Sequence, residues 1–157
     1  MSGSVTAYIA LGANLGDAAA MLERAMDAIG GLPKTRLTGR SSLYRTAPVE
    51  SSGPDYVNAV AGVETALAPE ELLRALQALE RGAGRERPWR NAPRTLDLDI
   101  LLYGDLDFSS QTLTIPHPRM NQRAFVLVPL HEIAPGKVLP AQLEAVTGQA
   151  IERIGQR

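Results

Sequence analysis

The sequence contains no cysteine. Disulfides, thiolate chemistry and cysteine-based zinc sites are thereby excluded. Its two histidines, His117 and His131, are too few for a histidine-rich metal centre. Lysine is scarce: of 16 basic residues only Lys34 and Lys137 are lysines, so the positive charge is carried by arginine. Aromatic residues make up 4% of the chain, with one tryptophan, Trp89, which leaves little for a base-stacking platform. No run approaches the roughly 18 apolar residues a membrane span needs, so no membrane partner is expected. Residues 1–4 hold no basic segment leading into an apolar run; no secretion signal and a cytoplasmic location are expected. Charge of either sign is not in excess, and a net charge of −1 gives no general pull toward nucleic acid.

What is present is an ordinary globular composition, 45% hydrophobic and 21% charged. The length predicts one domain, residues 1–157, with a real core. The pattern centres on residues 94–103, Arg-Thr-Leu-Asp-Leu-Asp-Ile-Leu-Leu-Tyr. Read as a strand, it puts Asp97 and Asp99 on one face, about 7 Å apart, and Leu96, Leu98 and Ile100 on the other, toward a core. Two carboxylates so spaced can share a pair of divalent cations about 4 Å apart; the alternative is a solvated outward pair. Just upstream, Arg85, Arg87, Arg90 and Arg94 face a single acid, Glu86. Arginine grips phosphate bidentately, so carboxylates beside this loop suit a polyphosphate substrate. Trp89 reads either as a lid over a nucleotide or as a core residue.

Residues 5–11 form an apolar run expected as a buried strand, followed by a loop with Gly12 and Gly16. That loop is neither G-x-G-x-x-G nor a Walker A sequence and reads as a plain connection. Asp17 suits an N-cap, and Leu22, Ala25, Met26 and Ile29 recur at helical spacing until Gly30, Gly31 and Pro33. Residues 35–44 are expected as one strand, 45–54 as a long loop and 56–65 as a strand. In the last, Val57, Ala59, Ala61 and Val63 share one face, and Tyr56, Asn58, Val60 and Glu64 the other. Tyr56 beside Asn58 offers stacking and hydrogen bonds to a flat heterocycle, or is an ordinary cross-strand aromatic beside a strand-end amide. Pro69, Glu70 and Glu71 open a second helix with Leu72, Leu73, Leu76 and Leu79 as its stripe. Gln77 and Glu80 lie on its edge and read as solvated surface.

After the carboxylate strand come a turn at Gly104-Asp105, an edge strand at 112–115 and a helical turn at 120–125. A buried apolar stretch at 126–133 and a weak helix after Pro140 follow. His117 and Arg123 would face a phosphate or make surface contacts, and Phe125 packs in the core by default. The order β-α-β-β-α-β predicts an α+β, ferredoxin-like core with an irregular C-terminal extension. Two helices would cover one face of an antiparallel sheet and leave the other face for ligands.

Four segments then carry a resemblance, in order. They are residues 8–16 (Tyr-Ile-Ala-Leu-Gly-Ala-Asn-Leu-Gly), 44–48 (Tyr-Arg-Thr-Ala-Pro), 54–59 (Pro-Asp-Tyr-Val-Asn-Ala) and 93–104, with Ile115-Pro116-His117 behind them. On these the chain resembles the 6-hydroxymethyl-7,8-dihydropterin pyrophosphokinase family of folate biosynthesis, over roughly residues 5–135. The resemblance implies transfer of the β,γ-pyrophosphoryl group of ATP to the pterin hydroxymethyl oxygen, with release of AMP. It implies two Mg²⁺ ions held by Asp97 and Asp99, and catalytic roles for these and for Arg85 and Arg94. It places the pterin between Tyr56 and Phe125, with Asn58 and backbone of Thr46, Ala47, Pro48 and Val49 at its polar edge. ATP would meet Gln77, Glu80, Arg85, Arg87, Trp89, Arg94, Ile100, Thr114, His117 and Arg123. Loops at 12–17, 45–54 and 83–93 would close over the substrates and exclude water.

The chain departs from the family pattern at three points. Trp89 stands displaced from the usual Arg-Trp-Gly-Pro-Arg, here Arg90-Asn91-Ala92-Pro93-Arg94; Pro118 replaces a tyrosine; Thr112 replaces an arginine. Arg90 or Arg119 would compensate on the ATP side. Two other classes compete with the enzyme. In a ferredoxin-like RNA-binding module, Asp97 and Asp99 would repel a phosphate chain unless metal intervened, so no nucleic-acid partner is expected. In an inactive scaffold the two aspartates need not be intact. A monomer is expected, because no exposed apolar helix stripe is evident.

Overall fold

The computed structural model describes residues 3–14, 17–47, 55–83 and 96–155. Strand β1 (Val5–Ala13) leads to helix α1 (Ala18–Gly30), then β2 (Thr35–Arg40), β3 (Leu43–Thr46) and β4 (Tyr56–Thr65). Helix α2 (Pro69–Ala83) and strand β5 (Asp97–Tyr103) complete a β-α-β-β-α-β unit in which β2 and β3 together fill the second-strand position. The main sheet runs β5-β1-β4-β3 and is antiparallel throughout, with β2 also paired to β4. This is the expected split βαβ arrangement.

Local chemistry accounts for the helix starts. The Asp17 carboxylate accepts the Ala20 N–H at 3.1 Å, capping α1 as its position predicts. Glu71 accepts the Ala68 N–H at 2.8 Å ahead of α2. The leucine and isoleucine stripes of α1 and α2 then bury Leu22, Met26, Ile29, Leu72 and Leu76 against Ile9, Leu11, Leu98 and Ile100 of the sheet. Each such side chain contributes about 1.5–3 kcal/mol on leaving water.

Three expectations about the strands change. The single strand at 35–44 is broken, because the Ser41 hydroxyl enters the ladder and accepts the Val60 N–H at 2.9 Å. A serine hydroxyl competes with backbone groups in this way. Strand β1 continues through Gly12 to Ala13, so Gly12 is a strand residue and not part of a loop. The edge strand at 112–115 shrinks to β7 (Thr114–Ile115), which pairs with β6 (Phe108–Ser109) in a separate two-stranded ribbon.

The second face of the sheet is not left bare. Helix α3 (Ala124–Ile133), preceded by a 3-10 turn (Met120–Gln122), packs across it. A helix apolar on most sides must be covered, and Ala124, Val126, Leu127 and Leu130 meet Val60 and Leu101 in a second buried layer. Helix α4 (Pro140–Ala145) and strand β8 (Glu152–Gly155) follow, and β8 extends the sheet beyond β3. The C-terminal part thus has regular structure of its own. Among the described residues one end of this face stays open, and the cleft lies there.

Candidate active site

The cleft is built from one row of the sheet. Gly12 of β1 is paired with Asp97 of β5 on one side and with Asn58 of β4 on the other. Directly paired residues project to the same face, so Asp97, Gly12 and Asn58 line up across three strands. Neighbouring strands lie about 4.8 Å apart, which sets Asp97 and Asn58 about 10 Å from each other with no side chain between them. The next row on the same face pairs Ala10 with Asp99 and with Val60. Small residues at two positions of β1 therefore leave a floor between carboxylates and amide. A methyl group at Gly12 would stand 3.2 Å from Asn58 Oδ1 and 4.0 Å from Tyr56 Cδ2.

Asn58 is 4% exposed and its Nδ2 donates to Thr46 Oγ1 at 2.8 Å. That bond orients the amide and ties β4 to β3, where Thr46 is paired with Tyr56. Asn58, Tyr56, Thr46 and Ala47 all line the cleft, whose volume is about 1020 Å³. Phe125, Arg123 and Arg119 line it from the segment entering α3. The Arg123 guanidinium lies over the Phe125 ring, 5.3 Å from its centroid, a cation–π contact.

His117 joins this segment to β5. Its backbone N–H donates to the Leu101 carbonyl at 3.0 Å, and its ring Nδ1 accepts the Arg119 N–H at 3.1 Å. The unprotonated nitrogen is thus Nδ1, and Nε2–H is left as a donor. Burial pushes the His117 pKa below its usual value; Asp99 pulls it up, and Arg123 and Arg119 push it down further.

Of the residues singled out in the sequence, the fold brings Asp97, Asp99, Thr46, Ala47, Tyr56, Asn58, His117, Arg123 and Phe125 to one cleft. Others lie apart from it. Ile100 alternates with Asp99 and buries its side chain in the α1–α2 layer at 2% exposure, so that side chain does not face the cleft. Gln77 is exposed on α2, and Thr114 is exposed on β7. Glu80 accepts the Leu98 N–H at 2.7 Å, which ties α2 to the start of β5. Thr112 donates to Glu70 at 2.9 Å, so it clips the β6–β7 ribbon to α2. Pro48, Val49, Arg85, Arg87, Trp89, Arg90 and Arg94 lie outside the described residues.

Ala10, Gly12, Gln122 and Gln149 also line the cleft and were not singled out as site residues. For Ala10 and Gly12 the signal exists only once strand pairing is known, since smallness matters here through its place opposite Asp97 and Asp99. Among the described residues no cluster of three or more His, Asp or Glu side chains is arranged to hold a metal. A pair of carboxylates still fits Mg²⁺, a hard cation that keeps waters and takes its remaining ligands from substrate phosphates.

Residues 8–135 match the family model described as 7,8-dihydro-6-hydroxymethylpterin-pyrophosphokinase (HPPK). The chain is 51% identical over 137 residues to the 2-amino-4-hydroxy-6-hydroxymethyldihydropteridine pyrophosphokinase of Haemophilus influenzae, covering 87% of this chain and 86% of that one. It is 46% identical over 154 residues to the enzyme of the same name from Pseudomonas aeruginosa, covering 94% and 95%. Among solved structures, the Plasmodium falciparum HPPK-DHPS protein with pteroate superposes with a TM-score of 0.69 at 13% identity. That match covers 92% of this chain but 43% of the other, so this chain spans less than half of the Plasmodium protein; the likeness concerns the fold.

Proposed function

The chain belongs to the 7,8-dihydro-6-hydroxymethylpterin-pyrophosphokinase family of folate-synthesis enzymes, and from that premise we propose how its own residues divide the work. The substrates are ATP and 6-hydroxymethyl-7,8-dihydropterin. The hydroxymethyl oxygen attacks the β phosphorus of ATP, the bond from that phosphorus to the α,β-bridging oxygen breaks, AMP leaves, and the hydroxyl proton is released. The observation that carries this assignment is the row Asp97–Gly12–Asn58, which joins a carboxylate site to an aromatic, amide-bearing site across a gap.

On this reading the pterin lies between Tyr56 and Phe125, with its polar edge on Asn58 and the backbone of residues 46–49. A flat, polar heterocycle takes both stacking and amide hydrogen bonds. The floor at Gly12 lets its hydroxymethyl arm reach toward Asp97. Asp97 and Asp99 would hold two Mg²⁺ ions, which when bound neutralise the phosphate oxygens and align the reacting phosphorus. His117 presents Nε2–H, and Arg119 and Arg123 present guanidinium groups, to the triphosphate in the same cleft. Arg85, Arg87 and Arg94, with Trp89, would complete the cationic side, Arg85 and Arg94 in catalytic roles; Gln77, Glu80, Ile100 and Thr114, which lie apart from the cleft, would be met only by the adenosine end of the nucleotide beyond it. A monomer and a single pyrophosphokinase domain over residues 1–157 belong to the same reading. No described helix is long and apolar enough to cross a membrane, and ATP as co-substrate favours the cytoplasm.

The test is an incubation with ATP, Mg²⁺ and the dihydropterin, following nucleotide products. AMP should form in step with pterin pyrophosphate, and Asp97→Ala and Asp99→Ala should lose it. Production of ADP instead would mean single phosphoryl transfer and would refute the mechanism.

A further inference from the structure

Gln149 lies beyond the matched residues 8–135, and no role has been given to it. Its side-chain amide holds two backbone groups of the segment that enters α3. Oε1 accepts the Ala124 N–H at 2.9 Å, and Nε2 donates to the Gln122 carbonyl at 2.8 Å. These are the peptide groups on either side of Arg123. The reverse amide orientation would set donor against donor and acceptor against acceptor, so the chemistry settles which way it points.

The segment has need of such a clamp. Arg123 is extended (φ −130°, ψ 113°) between the 3-10 turn and α3, and makes no side-chain cap to the helix it precedes. The Ala124 N–H belongs to the first helical turn and has no intrahelical acceptor. The amide is delivered by a turn anchored on Val146, 4% exposed in the second buried layer. A second tie runs alongside: Gln142 Nε2 donates to Asn121 Oδ1 at 2.6 Å. The C-terminal part of the chain thus grips the 3-10 turn and the α3 entry at the wall of the cleft, which Gln149 also lines.

We infer that Gln149 is a positioning residue that fixes Arg123 and Phe125 toward the cleft and thereby sets the affinity for pterin. This rests on the reading of Phe125 as a wall of the pterin site. Phe125 is two residues past the Arg123 break, so rotation of that break would carry the ring with it. Gln149 itself need not touch either substrate for this effect.

The experiment compares the wild type with Gln149→Met, Phe125→Ala and the double variant, by calorimetric titration with 6-hydroxymethyl-7,8-dihydropterin and by steady-state kinetics. Methionine keeps the length and removes both hydrogen bonds. Gln149→Met should raise the pterin Kd and KM about three- to tenfold, as expected for two lost hydrogen bonds, with the KM for ATP rising as well through Arg123 and kcat at saturating pterin and ATP falling less than either KM rises. The double variant should bind no more weakly than Phe125→Ala alone, because both changes act through one ring. A wild-type Kd in Gln149→Met beside a weakened Phe125→Ala would overturn the inference and spare the pterin reading, as would effects that simply multiply. A wild-type Kd in Phe125→Ala would remove the pterin reading, and the inference with it.

Discussion

Asp97, Gly12 and Asn58 stand in one row because cross-strand pairing puts them there. Gly12 matters there for what it leaves empty. Gly12→Ala would press a methyl group to 3.2 Å from Asn58 Oδ1, and the amide, held by Thr46, has little room to yield. The expected result is a pterin Kd raised about tenfold, near 1.4 kcal/mol, with the fold intact; titration of the folded variant checks it. Asp99→Asn keeps the size of an exposed side chain and removes its charge. Its kcat should fall roughly a hundred- to a thousandfold, the usual loss when a charge-stabilising group is removed. Its thermal midpoint should stay within a few degrees of wild type; a large loss of stability instead would make the carboxylate a structural group.

Helix α3 is fastened at its far end by Glu132. That carboxylate accepts the Ser42 N–H at 2.9 Å, the Ser42 hydroxyl at 2.7 Å and the Tyr44 hydroxyl at 2.7 Å, with Arg153 of β8 at 3.8 Å. The same helix therefore meets β3, which runs on into the cleft at Thr46. Burial raises the Glu132 pKa, but the bonds from Ser42 and Tyr44 and the charge of Arg153 outweigh it, and the group lies below its ordinary 4.5. The unfolded chain then binds the proton more readily than the folded one. The stabilisation is complete above about pH 4.5 and is lost as pH falls from there through the lower folded value. Urea unfolding at pH 6 and pH 4 should show this loss, and Glu132→Gln should flatten it. Glu132→Ala, which strands the Ser42 and Tyr44 donors, should destabilise by about 1–3 kcal/mol at neutral pH.

Strands β1 and β4 serve both buried layers, since alternate residues of the same strands face α1–α2 and α3. Neither layer can open without disturbing the sheet they share. Leu22, in the first layer, and Leu127, in the second, are both fully buried. Leu22→Ala and Leu127→Ala should each cost about 2–5 kcal/mol and each shift a single cooperative transition. Two separate transitions in either variant would mean that the layers unfold independently. The cleft sits where α3 stops short of covering the sheet, so the Leu127 variant should also weaken pterin binding, whereas the Leu22 variant should act on stability alone.

Legible in the order of residues were the β-α-β-β-α-β unit, the two helix stripes, the capping Asp17 and the facing of Asp97 with Asp99. Each depends on local rules: a period of 2, a period of 3.6, or a side chain reaching its own backbone. Tyr56 and Asn58 were likewise visible as neighbours on one face, and family likeness assigned them to pterin. What lay beyond local rules was decided by packing between distant segments. The apolar run at 126–133 read as buried, but nothing in it said that it would form a helix across the second face. Gly12 resembled a loop glycine until its strand partners were known. Ile100 fell in the α1–α2 layer by the same alternation that exposes Asp99. Gln149 and Glu132 carry no periodic signal at all; their roles arise because their partners, Gln122, Ala124, Ser42 and Tyr44, reach them only after the sheet and α3 have come together.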